Sequence, residues 1–231
     1  MTGGFDKMSV NQELLMSLPF REGVGAITQD YAKPLREVDL INAPAWTTIA
    51  SGLGVLAFDG GVSNQYLECD TLETVDLNFT TGDYSIFGWV NWTDTALSEI
   101  IIARYELDVD GWELYFWNSV LQLRHHHAGG ATDRTGCHSW NWTPGTWWLL
   151  GISRSGAYPL MYRNGVPLTM GYSVGGMLDP ATCDQDLVIG TRFCKTADWY
   201  SGMMWNVRVA GRALSARDHM NIYQLEKHWF S

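Results

Sequence analysis

The densest group of chemically active side chains in the sequence is acidic, in the segment ELDVD at residues 106–110. Side chains at alternate positions of a β-strand point the same way, so Glu106, Asp108 and Asp110 would share one face. Retaining glycosidases use such carboxylates as nucleophile and acid. Gly111 follows as a turn residue. We therefore favour the alternative interpretation, a solvated acidic hairpin.

A second group combines imidazoles and a thiolate, the side chains that suit zinc. It consists of His125, His126 and His127, with Cys137 and His138 farther along the chain. The spacing matches no known zinc motif. The other interpretation is a polar strand edge, or an interface that responds to pH near about 6–7.

The sequence contains 12 tryptophans. Trp140 and Trp142 alternate in a predicted loop, and exposed indole faces stack on sugar rings. Together with His125 and His127 they form a candidate glycan-binding set. The alternative is that Trp140 and Trp142 fill a wide core, which is the role we assign to the other tryptophans.

Cys183 and Cys194 are the one pair of the four cysteines that we consider for a disulfide, since they flank a short apolar run. The alternative is that all the cysteines are free thiols of a reducing compartment. We favour free thiols, because the N-terminal sequence has no basic region followed by an apolar segment, as a secretory signal requires.

The composition excludes several classes of protein. Hydrophobic residues make up 46% and charged residues 17% of the chain, which is typical of a folded domain. The formal net charge of −10 argues against binding to nucleic acid or to an anionic membrane surface. No apolar run reaches the roughly 18 residues of a membrane span, so we expect no membrane insertion.

The elements that would position these side chains are predicted to be strands separated by turn residues. Asn164-Gly165 between two apolar runs is a strong hairpin signal. Ser215 and Asp218 form a near capping box before one helix. The predicted strands cover residues 54–58, 84–92, 98–104, 112–117, 120–124, 147–153, 160–163, 166–169, 187–190 and 202–209.

This pattern predicts an all-β fold, a two-sheet antiparallel sandwich of jelly-roll type with one short helix near the C-terminus. Residues 1–17 have no clear periodicity, and we interpret them as an N-terminal arm. Residues 18–231 form the sandwich domain.

The order of short motifs resembles the laminin-G-like domains of the concanavalin A-like lectin/glucanase superfamily, in the form common in bacterial and phage proteins. The resemblance covers about residues 17–225. The matching segments are residues 18–25, 56–61, 84–92, 111–114, 146–148, 161–165, 200–202 and 207–215.

The resemblance implies a calcium site, since many relatives carry one. Those relatives have an Asp in a penultimate-strand pattern where this sequence has Trp205, so the implication is weakened. Glu22 and Asp30 remain weak candidate ligands. Glucanases of the superfamily carry a carboxylate strand similar to residues 106–110, but the last position here is Asp110 instead of Glu.

We predict a non-catalytic display module of a larger assembly, most readily a phage virion protein docked through its arm and sandwich surface. It would be made in the cytoplasm and end on a virion or extracellular surface. Expected partners are other virion or assembly proteins and further copies of the chain, with no cofactor unless calcium is bound. The alternative is a lectin-like module for cell-surface glycans, and a glycoside hydrolase ranks third.

Overall fold

The protein is a sandwich of two antiparallel sheets. The computed structural model describes residues 11–33, 36–93, 98–118, 120–127, 131–137, 142–173 and 176–230. Within these residues, no helix is long and apolar enough to cross a membrane. The predicted fold class is confirmed.

The first sheet has eight strands, in the order β14-β13-β12-β7-β17-β5-β4, with β1 also paired to β17. These strands are β1 (Leu14–Leu18), β4 (Ala45–Thr48), β5 (Gly54–Asp59), β7 (Tyr84–Trp92), β12 (Trp148–Ser155), β13 (Tyr158–Arg163), β14 (Val166–Pro167) and β17 (Ser201–Ala210).

The second sheet has nine strands, in the order β15-β11-β10-β9-β8-β16-β6-β3-β2. These are β2 (Ile27–Gln29), β3 (Glu37–Ile41), β6 (Tyr66–Cys69), β8 (Glu99–Glu106), β9 (Asp110–Trp117), β10 (Val120–His127), β11 (Ala131–Cys137), β15 (Met170–Ser173) and β16 (Leu187–Ile189).

Three helical segments complete the described fold. A 3-10 helix spans Thr71–Leu77, the helix α1 spans Ala216–Glu226, and a second 3-10 helix follows at Lys227–Trp229. Ser215 caps α1 in a full capping box with Asp218, as the sequence predicts.

The main core lies between the two sheets, and a smaller one lies outside the first sheet. In the smaller core, α1 packs Ile222 against Phe87, Trp89 and Trp205. Every residue of β7 is therefore buried, as expected for a central strand with two apolar faces. The buried residues of α1 are His219 and Ile222.

The strand β1 corrects the predicted domain boundary, because it begins at Leu14, inside the segment that we interpreted as an arm. It pairs antiparallel with β17, with Leu18 opposite Val207. Met16 and Leu18 are fully buried in the main core. Residues 14–17 therefore belong to the sandwich, and the residues before Asn11 lie outside the described part of the chain.

A β-bulge interrupts the pairing of β17 with β7. The register passes from Trp205 opposite Trp89 to Arg208 opposite Phe87, so β17 carries one extra residue there. Asn206 lies in this bulge and has a positive φ of 53°. Gly88 lies beside it, where an added Cβ would come within 3.1 Å of the Val207 Cα. Bulges of this kind redirect side chains, and this one changes the face that Asn206 and Arg208 present.

Candidate functional site

A cavity of about 460 Å³ opens on the outside of the first sheet, at the end of α1. Its walls come from β17, from α1 and the 3-10 helix after it, and from the segment that follows β1. Its volume lies within the range of about 300–1,000 Å³ typical of small-molecule sites. The lining residues include Arg21, Tyr31, Trp205, Asn206, Glu226 and Trp229.

The polar floor of the cavity is organised by Glu226, the last residue of α1. Its carboxylate accepts hydrogen bonds from Trp89 Nε1 at 2.8 Å and from Asn206 Nδ2 at 3.2 Å. Arg208 Nη1 and Nη2 each lie 2.9 Å from a Glu226 oxygen. The Arg208 guanidinium also lies over the Phe87 ring, 4.4 Å from its centroid. These contacts hold the end of α1 on the bulge of β17.

The rim of the cavity carries partly exposed aromatic rings. Tyr31 is 48% exposed and Trp229 is 38% exposed. Arg21 lies over the Tyr31 ring at 5.7 Å from its centroid. Rings of this kind offer an apolar face for a ligand, while the floor offers fixed polar atoms.

The segment 106–110 is a tight acidic hairpin and not a row of carboxylates on one strand. Glu106 ends β8, Asp110 begins β9, and the three residues between them form the turn. Asp110 Oδ1 accepts a hydrogen bond from the Glu106 backbone N–H at 3.2 Å. The geometry favours the hairpin interpretation.

His125 and His127 of β10 occupy different environments. His125 is fully buried, with Nε2 2.7 Å from the Tyr84 hydroxyl and Nδ1 2.8 Å from the Leu178 carbonyl. His127 pairs with Asp133 at 3.1 Å. Burial lowers the pKa of His125 to about 4. The assignment of His125 to an exposed glycan site is therefore wrong, because a sugar has no access to it.

Trp142 is also misplaced in the predicted glycan set, because it is buried in the main core. Its ring contacts Trp92 and Phe116, each with centroids 5.3 Å apart, and Trp148 at 5.9 Å. The core interpretation of this residue is the correct one. Trp140 and His138 lie outside the described residues.

Cys183 and Cys194 do not form the disulfide that we considered. Both are free thiols, with Cys183 buried and Cys194 exposed. Cys194 Sγ contacts the Thr196 hydroxyl at 3.0 Å. Burial raises the pKa of the Cys183 thiol to about 12, so this side chain is an unreactive thiol at neutral pH.

The two candidate calcium ligands already have other partners. Glu22 accepts from the Gln29 backbone N–H at 2.9 Å and from the Thr28 hydroxyl at 3.1 Å. Asp30 is buried and pairs with Arg36 at 3.3 Å. Across the described part of the chain, no three His, Cys, Asp or Glu side chains are grouped as a metal site. Calcium binding stays a prediction.

A serine–histidine pair beneath α1 resembles a nucleophile and its base. Ser153 Oγ lies 2.8 Å from His219 Nε2, and Ser85 Oγ lies 2.9 Å from Ser153 Oγ. The Tyr162 ring stacks on His219 with centroids 4.0 Å apart. Ser153 and His219 are both buried, and Nδ1 of His219 has no orienting partner within the described residues. The pair therefore fastens α1 to the sheet and is not accessible to a substrate.

The sequence of the chain matches a known protein family. The laminin-G model of the concanavalin A-like lectin/glucanases superfamily matches residues 62–218, which is more than half of the chain. The chain belongs to this family. The resemblance to laminin-G-like domains of this superfamily is thus confirmed, and no curated protein matches the chain.

Solved structures similar to this laminin-G-like chain include receptor-binding domains of botulinum neurotoxins. The domain of neurotoxin D has a TM-score of 0.72 at 16% identity, over 94% of this chain and 54% of that one. The domain of type C has a TM-score of 0.72 at 13% identity, over 94% and 52%. At these identities the likeness shows the fold alone, and the laminin-G-like chain spans about half the length of those domains.

The cavity of this laminin-G-like chain was missed in the sequence, although one signal for it was visible. In β17, the residues that face the main core are Met204, Val207 and Val209. The step of three between the first two breaks the two-residue period of a strand, and Asn206 stands at the break. A shift of period at an Asn, a residue that tolerates positive φ, indicates a bulge.

Proposed function

We propose that the chain is a non-catalytic binding module of lectin type, and that it holds a saccharide in the cavity between β17 and the end of α1. The observation that carries the proposal is the cavity of about 460 Å³, with exposed rings at its rim and a fixed polar floor. Sugars need both features, because they present apolar C–H faces and a ring of hydroxyl groups.

The aromatic rim suits the apolar face of a sugar ring. Tyr31 and Trp229 line the same cavity, and both keep a substantial exposed area. Aromatic side chains lose few rotamers on binding, so a stacking contact costs little conformational entropy.

The polar floor suits sugar hydroxyls, because its side chains are held before a ligand arrives. Asn206 and Glu226 are bonded to each other, and Arg208 is ion-paired with Glu226. Such preorganisation raises affinity by lowering the cost of ordering.

The similar structures support a binding role without identifying a ligand for this chain. The binding domain of botulinum neurotoxin DC is described in complex with SialylT, and also with rat synaptotagmin II. Cell entry of botulinum neurotoxin type C is dependent upon interaction with two ganglioside molecules. A glycan is therefore the first class of ligand to test.

We expect Trp229→Ala to weaken saccharide binding by about tenfold or more, because tryptophan is among the residues that most often dominate binding energy. The measurement is a broad glycan array followed by calorimetric titration of the best ligand. Trp117→Ala is the matched control, since Trp117 is also partly exposed but lies on β9 of the second sheet.

Equal weakening by the two tryptophan variants would place the binding surface elsewhere. A wild-type chain that binds no glycan on the array would contradict the proposed function itself.

A second candidate function is a display component of a virion or similar assembly, found at a virion or extracellular surface. The observation that favours it is a pair of exposed apolar side chains on one face of β13. Tyr158 and Leu160 are 72% and 48% exposed. Exposed apolar patches mark protein contacts.

The display function predicts that the chain sediments with particles from its native source at a constant ratio, even in high salt. Sedimentation followed by mass spectrometry measures this ratio. Recovery of the chain only as a soluble monomer would contradict the display function, and Leu160→Glu is expected to reduce recovery with particles.

A further inference from the structure

The two charged side chains in the floor of the cavity, Arg208 and Glu226, pair with each other. The carboxylate of Glu226 is saturated by Trp89, Asn206 and Arg208. The charge of Arg208 is balanced by that same carboxylate. Within the described residues, a ligand therefore meets a floor whose charges already neutralise each other.

Arg21 is different, because no carboxylate of the described residues forms an ion pair with it. It is exposed at the cavity wall, and its contact within the described residues is with the face of Tyr31. A guanidinium held over a ring keeps its N–H groups at the edge free to donate. Arginine is the side chain that matches a carboxylate with two parallel hydrogen bonds.

The indole of Trp205 supplies a second donor. Trp205 is 4% exposed and lines the cavity. Its Nε1–H has no acceptor among the described residues. A buried N–H without an acceptor costs free energy that a ligand oxygen would recover.

We infer that the ligand of this cavity is an acidic saccharide, whose carboxylate pairs with Arg21 while its ring stacks on the aromatic rim. The inference rests on the proposed function and narrows its ligand class. Both uronic acids and sialic acids present this chemistry. The local positive charge is notable in a chain of formal net charge −10, which otherwise repels anions.

The test uses three groups of oligosaccharides on the array and in titration: uronic acids, sialic acids and neutral sugars. Each acidic glycan is paired with its methyl ester, which removes the charge and keeps the rest of the molecule. We expect the acid to bind at least about tenfold more tightly than its ester, and Arg21→Gln to abolish that difference. Arg217→Gln is the control, since Arg217 is exposed on α1 and does not line the cavity.

The possible results distinguish failure of the acidic-saccharide inference from failure of the proposed saccharide-binding function. Acids and esters that bind equally, with binding lost in Trp229→Ala, would overturn the inference and leave the proposed function standing. A preference for acids that survives Arg21→Gln would also overturn it. Binding by no glycan at all would overturn both proposals. The uronic-acid and sialic-acid groups show which source of carboxylate fits.

Discussion

Replacing Glu226 by Gln is expected to lower the free energy of unfolding by about 3 kcal/mol, because it leaves a buried guanidinium without its counter-charge. The Arg208 side chain is 5% exposed and that of Glu226 is 15% exposed, so solvent replaces little of the lost interaction. The isosteric amide also offers one acceptor oxygen, whereas both carboxylate oxygens accept from three donor side chains. Chemical denaturation at pH 7 measures the effect.

A double-variant cycle separates the charge effect from simple loss of packing. Arg208→Met in the Glu226→Gln background removes the unpaired charge and keeps apolar contact with Phe87, so the double variant should be more stable than Glu226→Gln alone. Glu73→Gln is the control, since Glu73 is exposed, and it should change stability by less than about 0.5 kcal/mol. A Glu226→Gln variant as stable as this control would show that the pair does not hold α1 on the sheet.

The strands of the sandwich were predictable because each carries its own local signal. Asn164 and Gly165 connect β13 and β14 as a hairpin, and both have the positive φ that such turns require. Ser215 and Asp218 form the predicted capping box. Local rules of this kind depend on neighbours in the sequence, which a single sequence contains.

The strand β1 and the cavity were not predictable in this way, because they depend on residues that are distant in the sequence. Leu18 pairs with Val207, which is far along the chain, and packs into the main core. Arg21, Tyr31 and Trp229 line one cavity because β17 and α1 pack against each other. Burial of Trp142 and His125 also depends on residues that are distant in the sequence. Residue type alone does not distinguish a core aromatic ring from an exposed one.

Two buried histidines are expected to make the protein less stable as the pH falls from about 6.5 towards 4. Burial lowers the pKa of His125 to about 4 and that of His219 to about 3, against an ordinary value of 6.5. In this window the unfolded chain takes up protons that the folded chain does not. Stability therefore decreases as the pH falls, by about 2 kcal/mol per histidine at pH 5 relative to pH 7.

The measurement is the difference in unfolding free energy between pH 7 and pH 5, which cancels any constant cost of a substitution. His219→Gln and His125→Gln should each reduce that difference by about 2 kcal/mol, and the double variant by about 4 kcal/mol. His228→Gln is the control, because His228 is exposed on the 3-10 helix after α1.

The charged neighbours of the two histidines allow the source of the effect to be checked. His125 faces Arg154, His127 and Asp133, while His219 faces Asp218, Arg208 and Arg212. For both residues, burial outweighs the neighbouring charges as the cause of the lowered pKa. The pH dependence should therefore persist at high salt, which screens exposed charges but does not rehydrate a buried ring. A pH dependence that salt abolishes, or that survives in the double variant, would assign the effect to surface groups instead.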